Sequence, residues 1–366
     1  MSIAPDDVIF LLGAGASAEA KIPTSADMIK EIEKLIEHDD NWRPFRALYN
    51  HVKSGIYYSE GLRGRFGTTV NYNIETLVNT LYELERNEEH PLYPFIAAWN
   101  SRFTALANPD FSNVKRFRLL ILDELKGWMC PDEASLGDYY RGLCSIQGKI
   151  TYTLRVFSLN YDLCVERLEQ GDFKIEAGFP GFGDPHPWDF RRFEKDDIQT
   201  GDPAQILLYK LHGSINWRRK AGTRELVRVE QVQRINAEHV EIIFGRDFKL
   251  EAADPYLFYA YSFRYYTLKA RLIVTIGYGF GDAHINKILA QGLRYDHNRR
   301  LLAVCGCREK AAAEAKAKDI TGRLELGAAE GARIVVEMGT AKEFLTGSDP
   351  TDILARNIFE EPNQPF

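Results

Sequence analysis

The stretch Val8-Ile-Phe-Leu-Leu-Gly-Ala-Gly-Ala-Ser17 is the starting point for predicting the fold. Five consecutive apolar residues are typical of a central parallel strand that is covered on both faces. Gly13 and Gly15 then hold the first two glycine positions of a dinucleotide-binding turn, and Ala18 holds the third. In such a turn a pyrophosphate approaches the second glycine, beside exposed amides at the start of a helix. The pattern predicts a strand–turn–helix unit, which either binds a dinucleotide or serves only as a structural connection.

The residues after this turn argue against a dehydrogenase. A hydride-transferring enzyme with this turn would next show a second strand that ends in an acid about 20 residues on. Here Thr24 and Asp27 form a capping box instead, and apolar residues follow at helical spacing. Glu31 and Glu33 therefore lie in a predicted helix and are poor candidates for a ribose-binding acid.

The rest of the chain divides into a helical block and a series of strand-like runs. Residues 40–150 show amphipathic helical stripes. Short apolar runs then recur at residues 156–159, 206–211, 272–276, 301–305 and 334–336. We therefore expect an α/β fold, in which a Rossmann-like parallel sheet has helices on both faces and a large helical insertion follows the first strand–helix unit.

The order of the helical block and the strand-like runs also predicts the domain organisation. Residues 1–37 and 151–345 are expected to form the core, and residues 38–150 the helical insertion. Residues 346–366 are polar and contain prolines, so they are expected to form a loosely held C-terminal tail.

Composition excludes several classes of protein. The net charge of −6 over 366 residues gives no sign of a general nucleic-acid-binding surface, and the short basic runs at residues 218–220 and 299–300 do not decide the matter. No apolar run approaches the roughly 18 residues of a membrane span. The polar, acidic N-terminus does not resemble a signal peptide. These observations together predict a cytoplasmic protein.

The spacing of the cysteines predicts that the protein has no structural zinc site. Five are present, and only Cys305 and Cys307 are close in sequence, as a C-x-C pair. A C-x-x-C pair, the usual signature of a zinc module, does not occur. The cysteines are therefore interpreted as small hydrophobic residues, and no metal is expected.

Polar residues follow two of the predicted strands directly. Asn160 and Asp162 come after the run 156–159, and His212 comes after the run 206–211. Ligands of open α/β sheets bind outside the carboxyl ends of the strands, so these residues are candidates for a binding site. The structural alternatives remain open, because Asp162 could cap a helix and His212 could be an internally bonded strand-end residue.

Four segments taken together resemble the sirtuin superfamily. They are Gly13-Ala14-Gly15-Ala16-Ser17, Asn160 with Asp162, His212 with Gly213, and the run Gly277-Tyr278-Gly279-Phe280-Gly281-Asp282 followed by His284-Ile285-Asn286. The last segment looks like the G-Y-S-F-x-D-x-x-I-N pattern of the bacterial defence-associated branch, with Gly279 in place of the usual serine. Protein-deacylating sirtuins typically carry two cysteine pairs on a zinc lobe, and this chain lacks them.

The resemblance implies an NAD hydrolase that cleaves the nicotinamide–ribose bond, with NAD as substrate, in antiviral defence. Catalytic roles would fall to Asn160, which would orient the ribose or a water, and to His212 as general base. Cofactor binding would fall to residues 13–17, Asp162, Gly277, Gly279 and Asp282. The Gly279 substitution puts a hydroxyl contact at that position in doubt.

The resemblance also implies partners and leaves two alternatives for function. A hydrolase of NAD must be inactive in healthy cells, so a homo-oligomer or a HerA-type ATPase partner is expected to control it. The alternatives are an NAD-dependent protein deacylase and a non-catalytic scaffold that binds NAD or ADP-ribose.

Overall fold

The computed structural model describes residues 3–67, 70, 72–85, 101–108, 110–131, 133–171, 173–180, 187–194, 204–220, 222–223, 225–242, 254–347 and 349–359. Ten strands lie within these residues. They are β1 (Val8–Leu12), β2 (Leu154–Ser158), β3 (Ile175–Glu176), β4 (Ile206–Lys210), β5 (Gly213–Arg219), β6 (Leu226–Arg228), β7 (Val240–Ile242), β8 (Leu272–Ile276), β9 (Arg300–Val304) and β10 (Ile334–Glu337).

Seven strands form a parallel sheet in the order β10-β9-β8-β1-β2-β4-β3. The prediction of a parallel sheet is confirmed, and the predicted runs match six of its strands to within two residues at each end. The short β3 at the edge was not predicted. A separate antiparallel sheet of β6, β5 and β7, which follows His212, was not predicted either.

The described α-helices surround this sheet. They are α1 (Ser25–His38), α2 (Arg46–Leu62), α3 (Ile74–Glu85), α4 (Ser101–Ala107), α5 (Ser112–Met129), α6 (Arg141–Ile150), α7 (Arg191–Glu194), α8 (Tyr256–Lys269), α9 (Ala283–Tyr295), α10 (Lys310–Arg323), α11 (Ala328–Gly331), α12 (Ala341–Thr346) and α13 (Pro350–Phe359). The predicted start of α1 is confirmed, because the Thr24 side chain accepts a hydrogen bond from the Asp27 amide.

The strand period of two divides the core between the two faces of the sheet. Val8, Phe10 and Leu12 of β1 belong to one apolar cluster, together with buried residues of α1, α3, α5 and α13. Ile9 and Leu11 belong to a second cluster, together with residues of α8, α9 and α10. The expectation of helices on both faces is therefore confirmed, and all five side chains of β1 are buried.

The helical block contributes α2 to α6 between β1 and β2. Its helices share the first apolar cluster with the sheet: Leu77 of α3 and Phe117 of α5 are completely buried in it. Residues 86–100, which also belong to the predicted insertion, lie outside the described residues. The boundaries at residues 38 and 150 stay a prediction.

The expectation of a loosely held tail is wrong for residues 350–359. They form α13, whose Pro350, Leu354 and Ile358 recur every four residues and are buried, with Leu354 completely so. This short apolar stripe packs on the core although the surrounding composition is polar. Residues 360–366 lie outside the described part of the chain. None of the described helices is both long and apolar enough to span a membrane.

Candidate functional site

The predicted site residues follow four neighbouring strands of the sheet. β1 lies between β2 and β8, and β4 lies beyond β2. Because these strands are parallel, the loops after β1, β2, β4 and β8 all leave at the same edge. The strands that follow β1 in the chain, β2 and β4, lie on one side of it, and β8, β9 and β10 lie on the other side. The strand order therefore reverses at β1, which makes the carboxyl end of β1 a topological switch point. Open α/β sheets bind their ligands in the crevice at such a point.

The glycines of two of these loops allow the loops to pack on each other. The Gly13 amide donates to the Ile276 carbonyl, and the Gly15 amide donates to the Gly277 carbonyl, both at 2.9 Å. A Cβ atom at Gly15 would lie 2.9 Å from the Gly277 oxygen, and one at Gly277, whose φ is +63°, would lie 1.9 Å from the Ala16 nitrogen. Side chains at these positions would therefore separate the loops.

This packing changes the interpretation of the glycine turn. The sequence predicts that the second glycine leaves room for a pyrophosphate beside free amides. In the structure the Gly15 amide is engaged with Gly277, and residues 14–20 form a short 3-10 helix. The side of Gly15 on which a side chain would stand faces protein backbone. The glycines are thus required first by contact between the loops after β1 and β8.

Ser17 ties the first loop to the loop after β2. Its completely buried hydroxyl donates to Asp162 Oδ2 at 2.6 Å and accepts from Asn160 Nδ2 at 3.0 Å. Tyr140 Oη lies 2.9 Å from the same hydroxyl and, since the Ser17 proton is directed at Asp162, acts as the donor. Asn160 is held by its amide nitrogen, and no partner of its Oδ1 occurs among the described residues. That oxygen is available to a ligand.

Asp162 has a supporting position in this network. Its Oδ1 accepts from the Cys164 amide at 2.9 Å, and its Oδ2 accepts from Ser17. The structural alternative, in which Asp162 caps the turn that follows, is therefore realised together with a contact to the glycine loop. Both oxygens are engaged by protein groups.

His212, which is buried, and Asp282, which is partly buried, form a pair across this edge of the sheet. His212 Nε2 lies 3.1 Å from Asp282 Oδ2, and only 3% of His212 is exposed. The other Asp282 oxygen accepts from the amides of His284 and Ile285 and so caps α9. Asp282 was predicted to bind the cofactor; in the structure its carboxylate orients His212 and the start of a helix.

The charges of this pair shift both pKa values. Burial lowers the pKa of His212, but the hydrogen bond to Asp282 and the charges of Glu75 and Asp282 outweigh burial and raise it above the usual value. Burial raises the pKa of Asp282, and the hydrogen bond and charge of His212 lower it by more. Among the described residues no partner is within reach of the buried His212 Nδ1.

Glu75, on the first turn of α3, brings the helical block into the site. Its Oε1 accepts a hydrogen bond from the Tyr161 hydroxyl at 3.3 Å. Burial raises the pKa of Glu75. The charge of His212 lowers this pKa by less, and the charge of Asp282 raises it. This residue was not predicted from the sequence, because a polar position beside an amphipathic stripe shows the same pattern whether it faces solvent or a cavity.

These residues surround a cavity of about 740 Å³. That volume lies within the ~300–1,000 Å³ typical of small-molecule sites. All the predicted site residues line it except Ala16, which is completely buried beneath the glycine loop. The opposite wall is formed by α2, α3 and the residues next to them, including Glu60, Arg63, Arg65 and Glu75. Gly279 also lines the cavity, and a Cβ there would meet no atom within 4 Å.

Metal-binding groups are sparse in the described part of the chain. It contains no cluster of three or more His, Cys, Asp or Glu side chains able to hold an ion. Cys305 and Cys307 lie with their sulfur atoms 3.7 Å apart, away from the cavity lining.

The fold and the position of the cavity define a ligand site of an open α/β protein, at the topological switch point of its sheet. Comparisons with known proteins narrow this class of protein further. Residues 154–323 match the SIR2-like domain, a region that contains Asn160, His212 and Asp282. That part of the chain is therefore similar to the SIR2-like domain. No curated protein matches the chain.

Two solved structures are similar to the chain at a low level. A Sir2 homologue in complex with NAD is 12% identical with a TM-score of 0.40, over 96% of this chain and 88% of the other. A mutant Sir2 homologue in complex with ADP-ribose is 13% identical with a TM-score of 0.38, over 96% and 91%. Both TM-scores lie below 0.5.

Proposed function

We propose that this protein hydrolyses NAD to nicotinamide and ADP-ribose. The observation that carries the proposal is the convergence of Asn160, His212 and the glycine loop on one cavity, with Asn160 and His212 lying in the SIR2-like region. An NAD molecule needs polar contacts to two riboses and a charge partner for its pyrophosphate. The cavity supplies the Oδ1 of Asn160 and is lined by Arg63, Arg65 and Arg323. Their guanidinium groups also pair with Glu60 and Asp319, so a bound pyrophosphate would share them with these carboxylates.

The reaction requires stabilisation of positive charge on the ribosyl carbon as nicotinamide leaves. Nicotinamide departs as a neutral molecule and keeps the electron pair of the broken bond. In the proposed site Asn160 orients the ribose or the attacking water. The pair of Asp282 and His212 supplies an acid–base group beside it, oriented by a carboxylate as in other enzymes that use histidine. No step of this reaction requires a metal.

A release assay tests the proposal and separates it from the alternatives. Purified protein incubated with NAD alone is expected to produce free nicotinamide and ADP-ribose. A deacylase would release nicotinamide only when an acyl-lysine peptide is present. A scaffold would bind NAD or ADP-ribose in calorimetry with no release, and either result would contradict hydrolysis.

We further propose that hydrolysis serves antiviral defence and is controlled by assembly. Free NAD hydrolysis would deplete a cell, which is why activity is expected to depend on a homo-oligomer or on a HerA-type ATPase. Light scattering alongside the release assay tests this control. A fully active monomer at nanomolar concentration would contradict it.

A further inference from the structure

The carboxylates that line the cavity differ in how many of their oxygens already have a partner. In the described residues these carboxylates are Glu60, Glu75, Asp162 and Asp282. The two oxygens of Glu60 pair with Arg63 and Arg65 at 3.0 and 3.1 Å. Asp162 accepts from Ser17 and the Cys164 amide, and Asp282 accepts from His212 and the start of α9. These three groups are held by protein partners on both oxygens.

Glu75 is the exception. Its Oε1 has one long hydrogen bond from Tyr161, and its Oε2 has no hydrogen-bond partner among the described residues. The side chain is half-buried and faces the cavity, while Leu77 and Val78 on the same helix are buried in the core. The helix is therefore fixed by packing, and it presents a carboxylate oxygen that is open to a bound molecule.

We propose that Glu75 is a further catalytic residue, contributed by the helical block, that takes the proton of the attacking water. This inference rests on the proposed NAD hydrolysis. In the step, the bond between the ribosyl carbon and nicotinamide breaks and its electron pair stays on the nicotinamide nitrogen. The water oxygen bonds to the ribosyl carbon, and one water proton moves to the free Glu75 oxygen. Release of that proton to solvent completes the products: nicotinamide, ADP-ribose and one proton.

The electrostatics of the cavity favour Glu75 over His212 as the proton acceptor. The raised pKa of His212 keeps it protonated to higher pH than an ordinary histidine, and a protonated imidazole cannot accept a proton. The raised pKa of Glu75, caused first by burial, makes its carboxylate a stronger base than an exposed glutamate. A positive charge on His212 acts against that rise in the pKa of Glu75 and so favours the ionised carboxylate.

Substitution of Glu75 by an isosteric amide tests the role directly. Glu75→Gln should lower turnover by roughly 10²–10⁴-fold, the scale of a lost general base, with unchanged affinity for NAD in calorimetry. Glu83→Gln, an exposed carboxylate on the same helix, is the matched control and should behave as wild type. Glu75→Asp keeps a carboxylate and should be more active than Glu75→Gln.

A pH profile separates a chemical role from a structural one. Removing the His212 cation should raise the pKa of Glu75 further, so the acidic limb of His212→Ala should move to higher pH and part of its activity should return in alkaline buffer. Normal turnover in Glu75→Gln, or a loss of NAD affinity that accounts for its whole defect, would overturn the proposal. A wild-type protein that releases no nicotinamide would instead overturn the proposed function, which is a distinguishable result.

Discussion

The cavity has two walls that use their polar side chains differently. The sheet wall consists of the loops after β1, β2, β4 and β8, and the helical wall consists of α2, α3 and the residues next to them. In the sheet wall Ser17, Asp162 and Asp282 are held by hydrogen bonds within the protein. In the helical wall Glu60 is paired with Arg63 and Arg65, whereas Glu75 keeps an oxygen that has no partner among the described residues. The sheet wall is therefore a preorganised frame, and the helical insertion adds a carboxylate oxygen that a bound molecule can contact.

The largest expected effect comes from the residue that the sheet wall orients most firmly. His212→Ala should lower nicotinamide release at neutral pH by roughly 10²–10⁴-fold, because it removes the group that Asp282 orients at the cavity and whose positive charge favours the ionised form of Glu75. NAD affinity should stay nearly intact. Asn160→Ala should also reduce turnover. Near-normal turnover in His212→Ala would make this histidine a structural residue, and it would contradict a catalytic role for the sheet wall.

The second effect tests whether the sheet wall depends on contact between its loops. Gly15→Val should destabilise the protein by about 1–3 kcal/mol, as overpacking does, since its Cβ would meet the Gly277 backbone. NAD binding should weaken with it. Gly279→Ala is the control, because its Cβ would meet no atom within 4 Å. Thermal melting of both variants checks this, and equal melting temperatures would contradict the loop-packing account.

A smaller effect is expected from the hydroxyl that joins two loops of the same wall. Ser17→Ala leaves Asn160 Nδ2, Asp162 Oδ2 and the Tyr140 hydroxyl without their common partner. The loss should be about 1 kcal/mol, because water in the cavity can reach part of the network. Chemical denaturation measures it. A loss of turnover larger than the loss of stability would show that Asn160 has moved, and an unchanged protein would mean that the network is not needed.

Metal removal is expected to have the smallest effect, with no change in stability or activity. The chain lacks a C-x-x-C pair, and NAD hydrolysis by the proposed site needs no metal. Prolonged chelation should therefore leave the melting temperature and the nicotinamide release unchanged. Elemental analysis that finds about one zinc per chain would contradict this expectation and favour the deacylase alternative.

The sequence predicted the sheet wall well because its features are local. Five consecutive apolar residues at Val8–Leu12 and Leu272–Ile276 specify buried strands without reference to the rest of the chain. Parallel strands then bring their carboxyl ends to one edge, so Asn160 and His212 were expected to lie near the glycine loop. The fold class followed from the same runs.

The pairings within and across the walls were not predictable from the sequence. Asp282 lies 70 residues from His212, and Tyr140 lies 123 residues from Ser17. No spacing rule connects such positions. Glu75 was missed for a related reason: the stripe of Ile74, Leu77 and Val78 predicts α3, but the helical period does not show which polar neighbour faces a cavity. The buried stripe of α13 was not predicted, because the polar composition of residues 346–366 hides a few apolar residues that recur at helical spacing.

The proposed reaction is the hydrolysis of NAD in this cavity, with water as the acceptor. The most direct test follows wild type and His212→Ala in parallel by proton NMR, with NAD as the sole substrate and no peptide present. The account predicts that wild type produces nicotinamide and ADP-ribose in equal amounts, and that the variant does so far more slowly. Wild-type protein that leaves NAD intact, or that consumes it only after an acyl-lysine peptide is added, would contradict the account.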